Sequence, residues 1–279
     1  MAELRVMAGG LDHPEGLAWD PRGSIVAGGE AGQLYRVDPD AGSVTEIANG
    51  KGYVLGIALD GDGRIYWCDQ VHHAVMRHDP TSGVTEAWSR GAPDVPFRVP
   101  NSLVFDAQGR LYVSESGSWP DRDGALFIVE PDGTTRLGST ECRDFANGVA
   151  IDPPGEYLYV VETSGPSLAR FAIGPDGSLA SRELVTSLER TVPDGLAFAS
   201  DGRLLISCFR PDAVLVWDGV GVATLAEDWM GLTLSAPTNI AFFGDDLRRL
   251  AAANIAFQHL AEIVVDMRGA PLRYPVLRA

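Results

Sequence analysis

Four oxygen-bearing side chains, Glu15, Asn101, Asn147 and Asp194, occupy one place in a motif that the chain otherwise fills mainly with apolar residues, glycine and proline. Two carboxylates and two amide oxygens are hard ligands, suited to Ca²⁺ ahead of any soft metal, with Mg²⁺, Mn²⁺ and Zn²⁺ also admitted by oxygen. Four protein oxygens do not fill the roughly 6 to 8 positions that Ca²⁺ prefers, so water or substrate would complete the shell. An incomplete shell is what a catalytic or ligand-exchanging cation site requires.

The motif begins as Pro14-Glu15-Gly16-Leu17-Ala18-Trp19-Asp20 and has five further near-copies. They are Val54-Leu55-Gly56-Ile57-Ala58-Leu59-Asp60, Pro100-Asn101-Ser102-Leu103-Val104-Phe105-Asp106, Ala146-Asn147-Gly148-Val149-Ala150-Ile151-Asp152, Pro193-Asp194-Gly195-Leu196-Ala197-Phe198-Ala199 and Pro237-Thr238-Asn239-Ile240-Ala241-Phe242-Phe243. The second residue of each copy, the anchor position, is Glu15, Leu55, Asn101, Asn147, Asp194 or Thr238, at spacings of 40, 46, 46, 47 and 44 residues. Asn, Asp and Glu ahead of a strand can cap a turn locally. Local capping does not require recurrence at one offset, whereas a shared ligand does.

A period in the forties with several short strands per repeat is the signature of a β-propeller, one four-stranded blade per repeat. In the first repeat, Leu17-Ala18-Trp19 and Ser24-Ile25-Val26-Ala27-Gly28 read as strands joined by the turn Asp20-Pro21-Arg22-Gly23. Gln33-Leu34-Tyr35-Arg36-Val37-Asp38 alternates as a half-exposed strand, and Val44-Thr45-Glu46-Ile47 follows the turn at Pro39. Six repeats predict an all-β, six-bladed propeller with antiparallel blades, as one domain over residues 1–279. The inner strand of each blade would line the channel, bringing the anchor residues together. The last repeat offers Leu250-Ala251-Ala252-Ala253, Glu262-Ile263-Val264-Val265-Asp266 and a short Leu272-Arg273-Tyr274. Leu4-Arg5-Val6-Met7-Ala8 is expected to pair into that blade and close the ring, protecting an open sheet edge. Longer excursions at Arg90 to Pro100 and Ser116 to Gly124 flank the third anchor, where loops on a rigid scaffold select substrate.

The 279 residues carry a formal net charge of −16 with 32 Gly and 18 Pro, which favours short strands and argues against nucleic acid as a partner. No apolar run reaches the roughly 18 residues of a membrane-spanning helix, and the first residues lack a secretory pattern, so a cytoplasmic location is expected. Cys68, Cys142 and Cys208 form no CxxC spacing, consistent with a reducing compartment; Cys68 and Cys208 read as buried small hydrophobes. Ser114, Ser116 and Ser164 lack the G-x-S-x-G context of a serine hydrolase. His13, His72, His73 and His259 fall in turns or loops and receive no catalytic assignment; His78 is the fifth histidine.

On these residues the chain resembles the six-bladed regucalcin, gluconolactonase and luciferin-regenerating-enzyme family, from Pro14-Glu15-Gly16 to Met267-Arg268-Gly269-Ala270-Pro271-Leu272-Arg273-Tyr274-Pro275. The resemblance implies metal ligation by Glu15, Asn147 and Asp194, with Asn101 as a further ligand or substrate contact and Asp194 as general base. The family's sugar-gripping Arg, two residues before the third-blade Asn, is replaced by Val99, and the nearest Arg is Arg98. Tyr112-Val113-Ser114-Glu115-Ser116 stands where Thr-Asp-Pro is commoner. Arg98, Asn101 and Glu115 are therefore the candidate substrate contacts. The implied activity is divalent-metal-dependent hydrolysis of a small-molecule lactone. A non-hydrolytic strictosidine-synthase-like enzyme and a noncatalytic calcium-binding or protein-interaction propeller are the alternatives.

Overall fold

The computed structural model describes residues 2–119 and 121–277. Its strands form six four-stranded antiparallel sheets, the blades of a six-bladed β-propeller, with no helix among the described residues. Blades 1 to 5 each run in chain order from the inner strand outward. Their inner strands are Leu17–Asp20, Val54–Leu59, Pro100–Phe105, Ala146–Ile151 and Val192–Phe198. Blade 6 takes Pro237–Phe243, Arg249–Asn254 and His259–Val264 from the end of the chain and Leu4–Gly9 from its beginning.

The chain forms two compact units of three blades. Blades 1, 5 and 6 make up one, from the residues up to Val54 and from Thr191–Pro271; blades 2, 3 and 4 belong to the other, from Leu55–Arg190 and the segment from Leu272 on. In the first unit, Trp19, Ile25, Tyr35 and Phe243 bury their apolar faces between blades 1 and 6. In the second, Tyr112, Leu126, Val149 and Phe171 do the same between blades 3 and 4. The recurring Asp at the end of an inner strand is a turn-former, buried at Asp20, Asp60 and Asp106. Asp106 Oδ1, for example, accepts hydrogen bonds from Gln108 N (2.8 Å) and Arg110 N (2.9 Å), and Gly109 supplies the positive φ of +86° that the turn needs.

The N-terminal strand pairs antiparallel with the third strand of blade 6, from Leu4 opposite Ile263 to Gly9 opposite His259. Buried Glu262 locks this edge, accepting hydrogen bonds from Arg5 Nε (2.9 Å), Arg249 Nε (2.9 Å) and Arg249 Nη2 (3.0 Å). Burial pushes the Glu262 carboxyl upward, but the hydrogen bonds and charges of Arg249 and Arg5 outweigh it, leaving it below its ordinary value. The folded state therefore binds this proton less readily than the unfolded chain. The stability contributed is complete above the ordinary glutamate range and is lost as pH falls through the lower folded value. Glu262→Gln should cost about 2–3 kcal/mol at neutral pH and flatten the acid limb of a stability-against-pH curve measured by urea unfolding.

Leu272-Arg273-Tyr274 forms no strand, because Leu4–Gly9 already occupies the fourth place in its blade. The segment instead runs along the turns that follow the inner strands of blades 2 to 4. Gly61 N donates to Pro275 O at 2.8 Å, Arg273 Nη2 to Asp152 O at 3.0 Å, and Leu277 is buried. The excursion at Arg90 to Pro100 contains a small hairpin, Gly91–Ala92 with Val95–Pro96, and tucks Phe97 edge-on against Phe127. All three cysteines are buried free thiols, and burial pushes Cys208 up to about 12, which removes it as a nucleophile.

Candidate metal centre

In blades 3 to 6 the ladder between the inner and second strands slips at the same place. The shifts fall between Pro100 and Leu103, Ala146 and Val149, Pro193 and Leu196, and Pro237 and Ile240. Each irregularity lifts the anchor and its successor out of regular pairing, which is how a bulge re-aims a side chain. In blades 3 and 5 the freed backbone is caught from the second strand. Ser114 Oγ accepts from Ser102 N at 3.0 Å, and Ser207 Oγ accepts from Gly195 N at 2.8 Å. Ser114 is thus a buried bulge clamp.

The glycine after the anchor is explained by crowding. A Cβ on Gly56 would sit 2.7 Å from Ser102 Cα, and one on Gly195 would sit 2.6 Å from Thr238 O. Neighbouring inner strands touch backbone to backbone there, within each unit.

In the first unit the bulges and the start of blade 1 bring Glu15 and Asp194 together, at 4% and 7% exposure. Burial, and then the negative charge of Asp194, push the Glu15 carboxyl well above its ordinary range. Two buried acids in mutual repulsion call for a proton or a cation between them. Thr238 does not serve as a ligand in this arrangement. Its Oγ1 donates to Glu15 O at 2.7 Å, fastening blade 6 to blade 1. Asn239 Nδ2 adds a 3.2 Å bond to the same carbonyl and lies 3.5 Å from Glu15 Oε2. Tyr53 was not singled out by the sequence. Burial, then the charges of Glu15, Glu30 and Asp194, push its phenol up, so it remains a neutral O–H near the acid pair. Its place just ahead of the second motif copy was the available signal.

In the second unit Asn101 and Asn147 head adjacent inner strands at 6% and 4% exposure. Asn101 Nδ2 donates to Ser116 Oγ at 2.9 Å, and Asn147 Nδ2 donates to Thr163 Oγ1 at 3.2 Å. Both amide nitrogens are thereby engaged. Both Oδ1 atoms are buried with no hydrogen-bond partner. A buried amide oxygen left unsatisfied costs about 1–3 kcal/mol, and a hard cation is the ligand that would recover it. Leu55, the anchor of blade 2, is buried and apolar.

The candidate substrate contacts are tied into the loop before Asn101. Both oxygens of buried Glu115 accept backbone N–H groups: Oε2 from Arg98 N at 2.9 Å, and Oε1 from Val99 N at 2.7 Å and Gly117 N at 3.2 Å. The Arg98 guanidinium, half exposed, pairs with Asp123 Oδ2 at 2.6 Å. Ser116 Oγ donates to Ala146 O at 2.8 Å. Among the histidines, His13 lies between Asp12 (3.0 Å) and Glu30 (3.3 Å), His72 pairs with Asp69 at 3.1 Å, and His259 Nε2 is 2.9 Å from Thr233 O.

These features define a class: a six-bladed propeller in which Glu15 stands just before one inner strand and Asn101, Asn147 and Asp194 sit at bulges near the starts of three others. Residues 71–253 match the family model described as the SMP-30/Gluconolactonase/LRE-like region, and the chain belongs to that family. It is similar to a 6-deoxy-6-sulfogluconolactonase of Pseudomonas putida, 27% identical over 241 residues covering 85% of this chain and 80% of the relative. Among solved structures, a gluconolactonase from Xanthomonas campestris superposes with a TM-score of 0.80 at 21% identity, over 94% of this chain and 89% of that one. A calcium-binding regucalcin from Agrobacterium tumefaciens gives 0.80 at 18% identity, over 100% and 98%. At these identities the two structural matches speak for the fold. No helix among the described residues is long and apolar enough to cross a membrane.

Proposed function

We propose that the protein is a divalent-cation-dependent hydrolase of a small-molecule lactone, with Glu15, Asn101, Asn147 and Asp194 as the cation's protein ligands and Ca²⁺ as the best fit to them. The observation that carries this reading is the pair of buried, unsatisfied amide oxygens of Asn101 and Asn147. The acid pair Glu15 and Asp194, each buried and mutually repelling, supports it as well. Membership in a family that includes gluconolactonases supports the reaction class.

A bound divalent cation supplies Lewis acidity toward an ester carbonyl and makes a nearby water more acidic. The residues do the rest. Asp194, if one of its oxygens is turned from the ligand set, accepts the proton of the attacking water. Asn101 contacts substrate as well as cation. Arg98 offers a half-exposed guanidinium at the edge of the same loop, and Glu115 fixes that loop through the backbone of Arg98 and Val99. The clamped geometry of Ser114 is that of a structural hydroxyl and leaves no serine-nucleophile route through it.

Turnover of a lactone panel should fall at least about 100-fold on chelation and return with added Ca²⁺. Turnover that persists at full rate in EDTA would sink the cation-dependent reading. Cation binding without turnover of any lactone would favour the noncatalytic alternative.

A further inference from the structure

We propose that Ser116, repeated in the next blade as Thr163, is a positioning residue that sets which end of the Asn ligand faces the cation and thereby sets cation affinity. The inference rests on the cation reading above. An Asn side chain has two ends of nearly equal shape and opposite polarity, and only the oxygen end can ligate. Nothing in the amide itself chooses between them.

Ser116 makes the choice for Asn101. Its hydroxyl has one hydrogen, and that hydrogen is committed to Ala146 O at 2.8 Å. Toward Asn101, Ser116 Oγ can only accept, so Nδ2 must face it and Oδ1 must turn away. A flipped amide would set two acceptor oxygens against each other. Ser116 is itself immobile: its side chain is buried, and its backbone N donates to Val99 O at 3.0 Å.

Blade 4 repeats three of these parts. Thr163 N donates to Phe145 O at 3.1 Å, two residues before its anchor, as Val99 is two before Asn101. Thr163 Oγ1 accepts from Asn147 Nδ2. The acid ahead of the hydroxyl also repeats, with Glu162 Oε1 accepting from Asp144 N at 3.1 Å as Glu115 accepts from Arg98 N. In the four other blades the residue at this place is Glu30, Gln70, Phe209 or Ile255, and none of their anchors is an amide. Blade 6 makes the contrast plain. Ile255 N still bonds Ala236 O at 3.3 Å, but the anchor is Thr238 and no hydroxyl is supplied. The hydroxyl accompanies the ligand that needs orienting.

The test is calorimetric titration of Ca²⁺ alone into the chelator-stripped full chain. Ser116→Ala should weaken Ca²⁺ binding about 10- to 100-fold, while Ser116→Thr, which copies blade 4, should restore most of it. In an Asn101→Asp background both carboxylate oxygens can ligate, so Ser116→Ala should then cost no more than about 2-fold. Wild-type affinity in Ser116→Ala would overturn the proposal. So would an equal loss in both backgrounds, which would mark a packing role. A wild-type chain that takes up no Ca²⁺ at millimolar concentration would overturn the cation reading beneath it, an outcome distinct from both.

Discussion

Asp194→Asn is expected to raise the melting temperature of the chelator-stripped protein and to abolish the further rise that Ca²⁺ produces in the wild type. The two effects have one cause. Without a cation, Glu15 and Asp194 are buried acids whose charges oppose each other, and removing one charge relieves the folded state by about 1 kcal/mol. With Ca²⁺ at 100 times its Kd, the wild type should gain about 2.7 kcal/mol, and the variant, lacking a carboxylate ligand, should gain little. Lactone turnover should fall by about three orders of magnitude or more, since ligand and proposed base are lost together. Asn147→Ala should lose the Ca²⁺ response as well but without the gain in the stripped state, because it removes no charge. Differential scanning fluorimetry with and without Ca²⁺ separates these patterns. An Asp194→Asn protein that keeps the full Ca²⁺ response would remove Asp194 from the ligand set.

Deletion of residues 1–9 should lower the melting temperature by about 10 °C or more. The Leu4–Gly9 strand contributes the fourth strand of blade 6, and without it His259–Val264 becomes an open edge. Ala8 leaves the core between blades 1 and 6, and Glu262 loses Arg5 while keeping Arg249. The open edge is also a template for another chain, so the truncated protein should aggregate at lower temperature, visible by light scattering. An unchanged melting temperature would show that the strand is dispensable to the fold.

The blades were legible because each rests on local chemistry repeated six times: an apolar inner strand, an Asp or Gly turn, an alternating second half. The anchor position was legible for the same reason, as an offset shared by Glu15, Asn101, Asn147 and Asp194. What holds the anchors in place was not. Glu115 reads in sequence as a substrate contact and Ser116 as the start of a loop, whereas their partners at Arg98, Val99, Asn101 and Ala146 are set by pairing across strands and blades. Leu272-Arg273-Tyr274 has strand composition, yet the strand place it could fill is taken by residues from the other end of the chain. Composition carries the tendency to extend; which edge is vacant is a property of the whole topology.

The slipped registers at the head of the inner strands have an evolutionary consequence. A side chain already released from the ladder can be exchanged without breaking a pairing, and in blades 3 and 5 the hydroxyls of Ser114 and Ser207 satisfy the backbone whatever that side chain is. Amides in blades 3 and 4, a carboxylate in blade 5 and threonine in blade 6 all occupy the same slipped position. Chemistry in such a fold can drift one blade at a time, with the strand pairing preserved and the charge balance of the set left to select among the results.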